Sequence, residues 1–455
     1  MPPSSAGSVT LRIVLVRHGL SSFNLEHRIQ GRDDLSALTE RGERQAGAAG
    51  EALRDVRLVA AYTSPLRRAS GTAAHLLAAH GQGLTAIPSD NLLEIDLAPW
   101  SGLLRGELRQ RFPEQERVWR EAPHTLTLQR PDGGSYSPLG ELMAQAQRFK
   151  AELLGRHGQA LAEQGFSTVL VVAHNAILRC LVLSLLDLPA SAFRRLRVDN
   201  GSISVLNLSL GPEGLPTTQL ESLNGTAHLG EPLPAAGKGP RLLLVRHGET
   251  DWNRQGRFQG QIDIPLNAHG LAQARAAGRC LAPVPIQRAY TSSMARPRQT
   301  AEVILAHHPG VPLVTSQGLI EIGHGLWEGR LESEIAEGWP ELLADWKRAP
   351  ETVRMPGGET IHEVWERSLA SWNTIARSLG AGETALVVAH DAVNKTILCG
   401  LLGLAPAAIW AIKQGNGGVT VIDYPSGACA GPVVTAMNLT NHLGGVLDRT
   451  AAGAL

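Results

Sequence analysis

Two short strings, Arg17-His18-Gly19 and Arg246-His247-Gly248, stand one in each half of the 455-residue chain with the same polar residues behind them. Asn24, Arg68, Glu94 and His174 follow the first; Asn253, Arg296, Glu321 and His390 follow the second. Two arginines and two histidines suit a small, doubly charged tetrahedral anion. A guanidinium is a planar fork of donors that matches phosphate oxygens and holds its charge at any working pH. A neutral imidazole held between arginines can attack phosphorus. The second histidine and the arginines can stabilise charge on the equatorial oxygens during transfer. The glutamate can protonate the leaving oxygen and then help deprotonate water. The expected catalytic set is therefore His18, Arg17, Arg68, Glu94 and His174, with His247, Arg246, Arg296, Glu321 and His390 as the second set. Substrate contacts are expected from Asn24, Gln30, Gly31 and Asn175, and from Asn253, Gln259 and Gly260. The arginines supply the positive charge, so no cofactor and no metal is expected.

Plainer readings compete with these. A three-residue match arises by chance, and it is the recurrence of Arg, Glu and A-H at matching offsets that gives R-H-G its weight. A loop glutamate is usually solvated, and Asn24 and Asn253 could simply cap the turns that follow them. His75, His80, His157, His307 and His308 read as helix-face or helix-end residues, and His324, beside Glu321, as packing. Trp346, Trp365 and Trp372 lie in helical patterns and read as core.

These residues need elements to hold them, and the chain supplies each element twice. LRIVLVRHGLSSFN (11–24) returns as RLLLVRHGETDWN (241–253), RIQG (28–31) as RFQG (257–260), and AYTSPLRRASGTA (61–73) as AYTSSMARPRQTA (289–301). LLEIDLAPWSG (92–102) returns as LIEIGHGLWEG (319–329), and VLVVAHNAILRCL (169–181) as ALVVAHDAVNKTIL (385–398). His247 follows His18 by 229 residues, Arg296 follows Arg68 by 228, Glu321 follows Glu94 by 227 and His390 follows His174 by 216. Solenoid repeats run only about 20–50 residues, so a period this long means duplicated whole domains. The shrinking offset places a longer segment of the first copy between Glu94 and His174. The expected organisation is a flexible tail over 1–9, a first domain over 10–225, a Gly/Pro-rich linker over 226–239, a second domain over 240–446 and a tail over 447–455.

Within a copy, LRIVLV, VAAYTS and STVLVVAH are short, apolar and rich in β-branched residues, as buried strands are. TERGERQAGAAGEAL and PLRRASGTAAHLLAAH space small and apolar residues by three or four, as helices do. The expected fold is α/β: two tandem three-layer α/β/α domains, each with a mainly parallel central sheet. Ligands of such sheets sit beyond the carboxyl ends of the strands. Both R-H-G strings and both A-H pairs fall there, which would bring them to one crevice per domain.

Lys+Arg and Asp+Glu both number 42, so broad electrostatic capture of nucleic acid or anionic membrane is not expected. No apolar run reaches the roughly 18 residues of a span, and the opening residues lack the pattern of a secretory signal. Cys180, Cys280, Cys399 and Cys429 are scattered and read as reduced packing thiols. A soluble cytoplasmic protein is expected, with a small-molecule phosphate as its partner, no nucleic acid and no membrane. Packing of the two domains as an intramolecular pseudo-dimer is expected of a duplication.

The repeated strings L-V-R-H-G-x-x-x-x-N, T-S-x-x-x-R, L-x-E-I and V-V-A-H, twice in order, resemble the histidine phosphatase superfamily, the phosphoglycerate mutase-like proteins. The resemblance covers nearly all of the chain outside tails and linker. It implies that His18 and His247 become phosphohistidines, that Arg17, Arg68 and His174, and Arg246, Arg296 and His390, cradle the phosphoryl group, and that Glu94 and Glu321 are the proton donors. Within the superfamily, RIQGRDDLSALTERGERQA, YTSPLRRASGTA, LLEIDLAPWSGLL and VVAHNAIL resemble the 2-carboxy-D-arabinitol-1-phosphatases of photosynthetic organisms. Two departures bear on substrate preference: Leu20 stands where the second copy has Glu249, and GGSYS (133–137) where it has PGGET (356–360). A metal-independent phosphomonoesterase acting on small anionic sugar or carboxylated sugar phosphates is the leading expectation. A phosphoglycerate mutase is the alternative, and a second alternative makes one domain a non-catalytic module that binds phosphorylated ligands. A mutase needs extra basic residues over its pocket to keep water out; Arg105, Arg109, Arg111, Arg117 and Arg120 lie in the right segment but scatter round a predicted helix and read mostly as solvated.

Overall fold

The computed structural model describes residues 9–210, 216–428 and 431–451. The chain divides into two compact units after Glu231. In the first domain the strands are β1 (Val9–Arg17), β2 (Ala60–Thr63), β3 (Ile87–Pro88), a small ladder of β4 (Leu128–Gln129) and β5 (Ser135–Tyr136), then β6 (Phe166–Ala173), β7 (Ile203–Leu210) and β8 (Pro216–Gly225). In the second they are β9 (Arg241–Arg246), β10 (Arg288–Thr291), β11 (Leu313–Thr315), β12 (Thr384–Ala389), β13 (Val419–Asp423) and β14 (Val433–Leu439).

The sheet of the first domain runs β8-β7-β1-β6-β2-β3, with β1, β6, β2 and β3 parallel and β7 and β8 antiparallel. The second repeats it as β14-β13-β9-β12-β10-β11, again with four parallel strands and an antiparallel pair. Central strands covered on both faces must be apolar throughout, and β9 and β12 are buried at every position. Helices supply the cover. In the second domain Ala277, Leu281, Ala301 and Ile304, from helices Ala268–Leu281 and Ala295–Leu305, close over Leu243, Val245, Leu386 and Val388. Helices Ile361–Arg377 and Asp391–Leu402 pack against each other, and the latter against β9.

The extra length of the first copy is concentrated in the helix Pro138–Gln164, 27 residues against 17 in its counterpart Ile361–Arg377. Trp346 and Trp372 are fully buried as expected, but Trp365 is half-exposed. The buried face of its helix is Ile361, Val364, Ser368, Trp372 and Ile375, and a residue one position past Val364 is turned about 100° off that stripe. Cys180 and Cys399 are buried free thiols and Cys280 is half-buried; Cys429 lies outside the described residues. Residues 1–8 and 452–455 of the expected tails also lie outside them. No helix among the described residues is long and apolar enough to cross a membrane.

Candidate active site

Register places the histidines. β1 pairs with β6 so that Arg17 faces Ala173, the last residue of each strand. His18 and His174 are the next residues, and the His18 amide donates to the Ala173 carbonyl at 2.9 Å. The ring centroids lie 5.1 Å apart. In the second domain Arg246 faces Ala389, His247 donates to Ala389 at 3.0 Å, and the His247 and His390 rings lie 5.3 Å apart. Residues separated by some 150 positions thus meet at the carboxyl ends of two adjacent parallel strands.

The third residue of R-H-G is glycine for a steric reason. A Cβ on Gly19 would stand 2.3 Å from the Gly42 carbonyl oxygen, and one on Gly248 2.4 Å from that of Gly270. The strap leaving the strand runs backbone against backbone over the start of the following helix. Thr72 and Thr300 fix it, each accepting from the glycine amide at 3.0 and 3.1 Å.

Each first histidine has a defined tautomer. His18 Nδ1 lies 2.8 Å from the Gly19 carbonyl and His247 Nδ1 2.7 Å from that of Gly248. A carbonyl only accepts, so Nδ1 carries the proton and Nε2 keeps its lone pair. Burial, then the neighbouring arginines, hold both imidazoles well below the usual histidine range, so both are neutral at neutral pH. Burial and the arginines act in the same direction on His174 and His390.

The arginines are oriented by backbone carbonyls. Arg68 donates to Asp33 and Gly31 at 2.7 and 2.8 Å, and Arg296 to Gly260 at 2.8 Å. Arg17 donates to Val198 at 2.9 Å and Arg246 to Gln414 at 2.5 Å. Buried Nε atoms of Arg17, Arg68 and Arg246 have no protein acceptor among the described residues, nor does His174 Nδ1 or either nitrogen of His390. Buried donors are normally satisfied, and donors left over around one imidazole make a cradle for an anion. His174 Nε2 is tied to the Ser64 hydroxyl at 2.8 Å.

Glu94 and Glu321 are buried, not solvated. Glu94 accepts from the amides of Ile95, Ala176 and Ile177 at the start of the helix Asn175–Leu185. Glu321 accepts from Ile322 and Ala392, and burial followed by nearby Asp391 raises its pKa. An arginine donates to each glutamate's carbonyl, but from exchanged places. Arg32 does so with Gln145 as partner in the first domain; Arg367 does so, with Gln261 donating beside it, in the second.

Asn24 and Asn253 are turn caps through Oδ1, which accepts from Ser21 and Thr250. Gln30 and Gln259 accept from the same two hydroxyls. Gly31 and Gly260 contribute the carbonyls that orient Arg68 and Arg296. Asn175 donates to Val198, the carbonyl that also receives Arg17. Glu249 accepts from Arg254 and Asn267, the latter the N-cap of the helix Ala268–Leu281, and Leu20 in its place forgoes both contacts. His324 is buried against Phe258, Trp346 and Met355.

Sequence reasoning missed Asn200 and Asn416, which donate to the carbonyls of His18 and His247 at 3.0 and 3.1 Å. The signal was present, since N-G recurs at 200–201 and 416–417 with the offset of the second histidine. It also missed Asp391, which takes the place of Asn175 and pairs with buried Lys395 at 3.1 Å. Arg179, the counterpart of Lys395, has carbonyl partners and lies over the Phe193 ring.

The family model of the histidine phosphatase superfamily (branch 1) matches residues 13–215 and again 242–438. The 2-carboxy-D-arabinitol-1-phosphatase of Triticum aestivum is 30% identical over 97% of this chain and 88% of its own length. Phosphoserine phosphatase 1 of Hydrogenobacter thermophilus is 34% identical over 45% of this chain and 94% of its own. Among solved structures, Bacillus stearothermophilus YhfR is 30% identical, covering 45% of this chain and 100% of its own, with a TM-score of 0.43. With both halves matched by one family model and a full-length phosphatase relative, the chain belongs to the histidine phosphatase superfamily as a tandemly duplicated phosphatase.

Proposed function

We propose that each domain is a metal-independent phosphomonoesterase working through a phosphohistidine, on small anionic sugar or carboxylated sugar phosphates. The observation that carries this reading is the imidazole whose Nδ1–H is committed to a neighbouring carbonyl while Nε2 keeps its lone pair beside the arginines, with Arg296 Nε donating to His247 Nε2 at 3.3 Å. Nε2 of His18 or His247 attacks phosphorus, the P–O ester bond breaks, and Glu94 or Glu321 passes its proton to the leaving oxygen. Water then attacks the phosphohistidine, the same carboxylate takes the water's proton, and the N–P bond breaks to release phosphate. The arginines and the second histidine hold the equatorial oxygens throughout.

The two sites differ in charge. Arg105 and Arg179 lie within electrostatic reach of Arg17, and their counterparts are Glu332 and Lys395, the latter neutralised by Asp391. Burial pulls Arg179 down to about 9, and among the described residues it bonds to backbone carbonyls and to no carboxylate. The first site therefore favours the more highly charged substrate, such as a phosphate ester that also bears a carboxylate. The wheat relative's name makes 2-carboxy-D-arabinitol 1-phosphate the first compound to try.

The test is phosphate release in EDTA from 2-carboxy-D-arabinitol 1-phosphate, 3-phosphoglycerate, 2,3-bisphosphoglycerate, fructose 2,6-bisphosphate and phosphoserine, for the wild type, His18→Ala, His247→Ala and the double variant. Acid-labile phosphohistidine is trapped in parallel. Release in the single variants and none in the double one supports two working sites. Interconversion of phosphoglycerates with little free phosphate would make the chain a mutase, and turnover by the double variant would remove both nucleophiles from the mechanism.

A further inference from the structure

The segments Arg197–Ser202 and Lys413–Gly418 do the same work in the two domains. Gly201 and Gly417 donate to the carbonyls of Arg17 and Arg246 at 3.1 and 3.0 Å, and Asn200 and Asn416 hold the carbonyls of His18 and His247. Each loop is pinned from the neighbouring strand by an asparagine in the left-handed region, Asn224 (φ 57°) or Asn438 (φ 49°). Its Oδ1 receives the amide of Asp199 or Gly415 at 2.7 Å in both cases.

The loops differ at one side chain. In the first domain Asp199 accepts from Asn224 Nδ2 at 3.1 Å and from Arg197 Nε at 2.9 Å. The second domain has Gly415 there and no carboxylate of its own in the loop. The vacant volume is filled from downstream: a Cβ on Gly415 would meet Asp448 Oδ2 at 2.5 Å, Thr450 Oγ1 at 2.7 Å and Asp448 Oδ1 at 2.8 Å. Asp448 Oδ2 accepts from Asn438 Nδ2 at 3.1 Å and lies 3.5 Å from Lys413 Nζ, the counterpart of Arg197. Oδ1 accepts from the Thr450 amide and hydroxyl, and the carboxylate is 1% exposed.

We infer that Asp448 is a positioning residue for the second active site, delivering from the 447–451 segment the carboxylate that Asp199 supplies within the first domain's own loop. It reaches His247 through Asn438, the 413–418 loop and Asn416. Gly415 is not in the left-handed region, and once Asp448 is gone only the Thr450 hydroxyl remains of the three atoms closest to its Cβ, and that hydroxyl has lost its Asp448 acceptor and is free to rotate away. The substitution that restores the first-domain pattern is therefore available.

The test places Asp448→Ala, Gly415→Asp and the double variant in a His18→Ala background, so that only the second site turns over. Asp448→Ala should lower kcat and the rate of His247 phosphorylation about tenfold with KM little changed, since misplacing a reacting group costs rate more than affinity. Amide exchange in 413–418 should quicken. The double variant should recover both, and Gly415→Asp alone, with two carboxylates in one space, should be worse than the double. In a His247→Ala background none of the three should alter the first site. The kinetic arm rests on the two-site phosphatase reading; the exchange arm does not. A parent without second-site turnover would count against that reading, with exchange still deciding the role of Asp448. Unchanged exchange in Asp448→Ala, or a double variant as impaired as the single, overturns the inference.

Discussion

Four buried neutral histidines tie the stability of both domains to pH, and the size of the effect follows from the site. His18 and His174 in the first domain resist protonation in the folded state, because burial and adjacent arginines disfavour the imidazolium. In the unfolded chain each takes a proton near the ordinary value of 6.5. Below that pH the unfolded state binds more protons than the native one, so stability falls as pH falls, and it is fully present above 6.5. At pH 5.5 each histidine costs about 1.4 kcal/mol, from RT ln(1 + 10). The pair costs about 3 kcal/mol, a large share of the 5–15 kcal/mol that holds a typical domain together. With a urea m-value of about 2 kcal/mol/M, the first domain's midpoint should drop by roughly 1.4 M between pH 7.5 and 5.5 on their account. Urea titrations of the wild type and of His18→Asn/His174→Asn at both pH values isolate this part, since His228 and other buried histidines contribute equally to both chains. The variant should keep most of its midpoint at pH 5.5. Identical pH slopes in the two chains would mean that these imidazoles are already charged in the folded state, and the neutral nucleophile would fall with that result.

Gly19→Ala should reduce first-site turnover by more than about tenfold while the second site continues, because the new methyl meets a backbone oxygen that cannot withdraw; phosphohistidine trapping in each single-histidine background checks this. Thr72→Val keeps the shape but strands the buried Gly19 amide, and should cost about 1–3 kcal/mol in first-domain stability, read by urea titration. Asp391→Asn removes a charge that raises Glu321 and frees Lys395, both of which favour the ionised acid. The alkaline limb of the second site's rate profile should therefore move to lower pH, measured in a His18→Ala background. Arg179→Gln should raise KM for carboxylated phosphates at the first site more than for sugar phosphates without a carboxylate, measured in a His247→Ala background.

The parallel strands and their terminal histidines were legible because uninterrupted apolar runs ending in a charged residue admit few other structures, and because every signal came twice. The same duplication exposed the arginines and glutamates. What the residues alone did not disclose was assignment within the site. Asn24 has the same composition whether it caps a turn or binds phosphate, and it takes the structure to assign its oxygen, which accepts from the Ser21 hydroxyl at 2.9 Å and from Asn200 Nδ2 at 3.0 Å. Arg32 and Gln145 exchange places with Gln261 and Arg367 without changing what reaches the glutamate carbonyl, so position-by-position comparison sees two losses where the structure has one conserved contact. Asp448 is harder still, since a carboxylate that fills a glycine's place from 33 positions away leaves no local pattern.

The source of that carboxylate also sets an order in time. The first domain's loop has its pinning asparagine as soon as Asn224 is made, and its carboxylate is already within the loop. The second waits for residue 448. At roughly 5–20 residues per second of synthesis, that is about 10–45 s later. A nascent chain would have the first loop braced well before the second, and a chain truncated before residue 448 would keep the Asp199 carboxylate of the first loop while lacking the one that fills the place of Gly415.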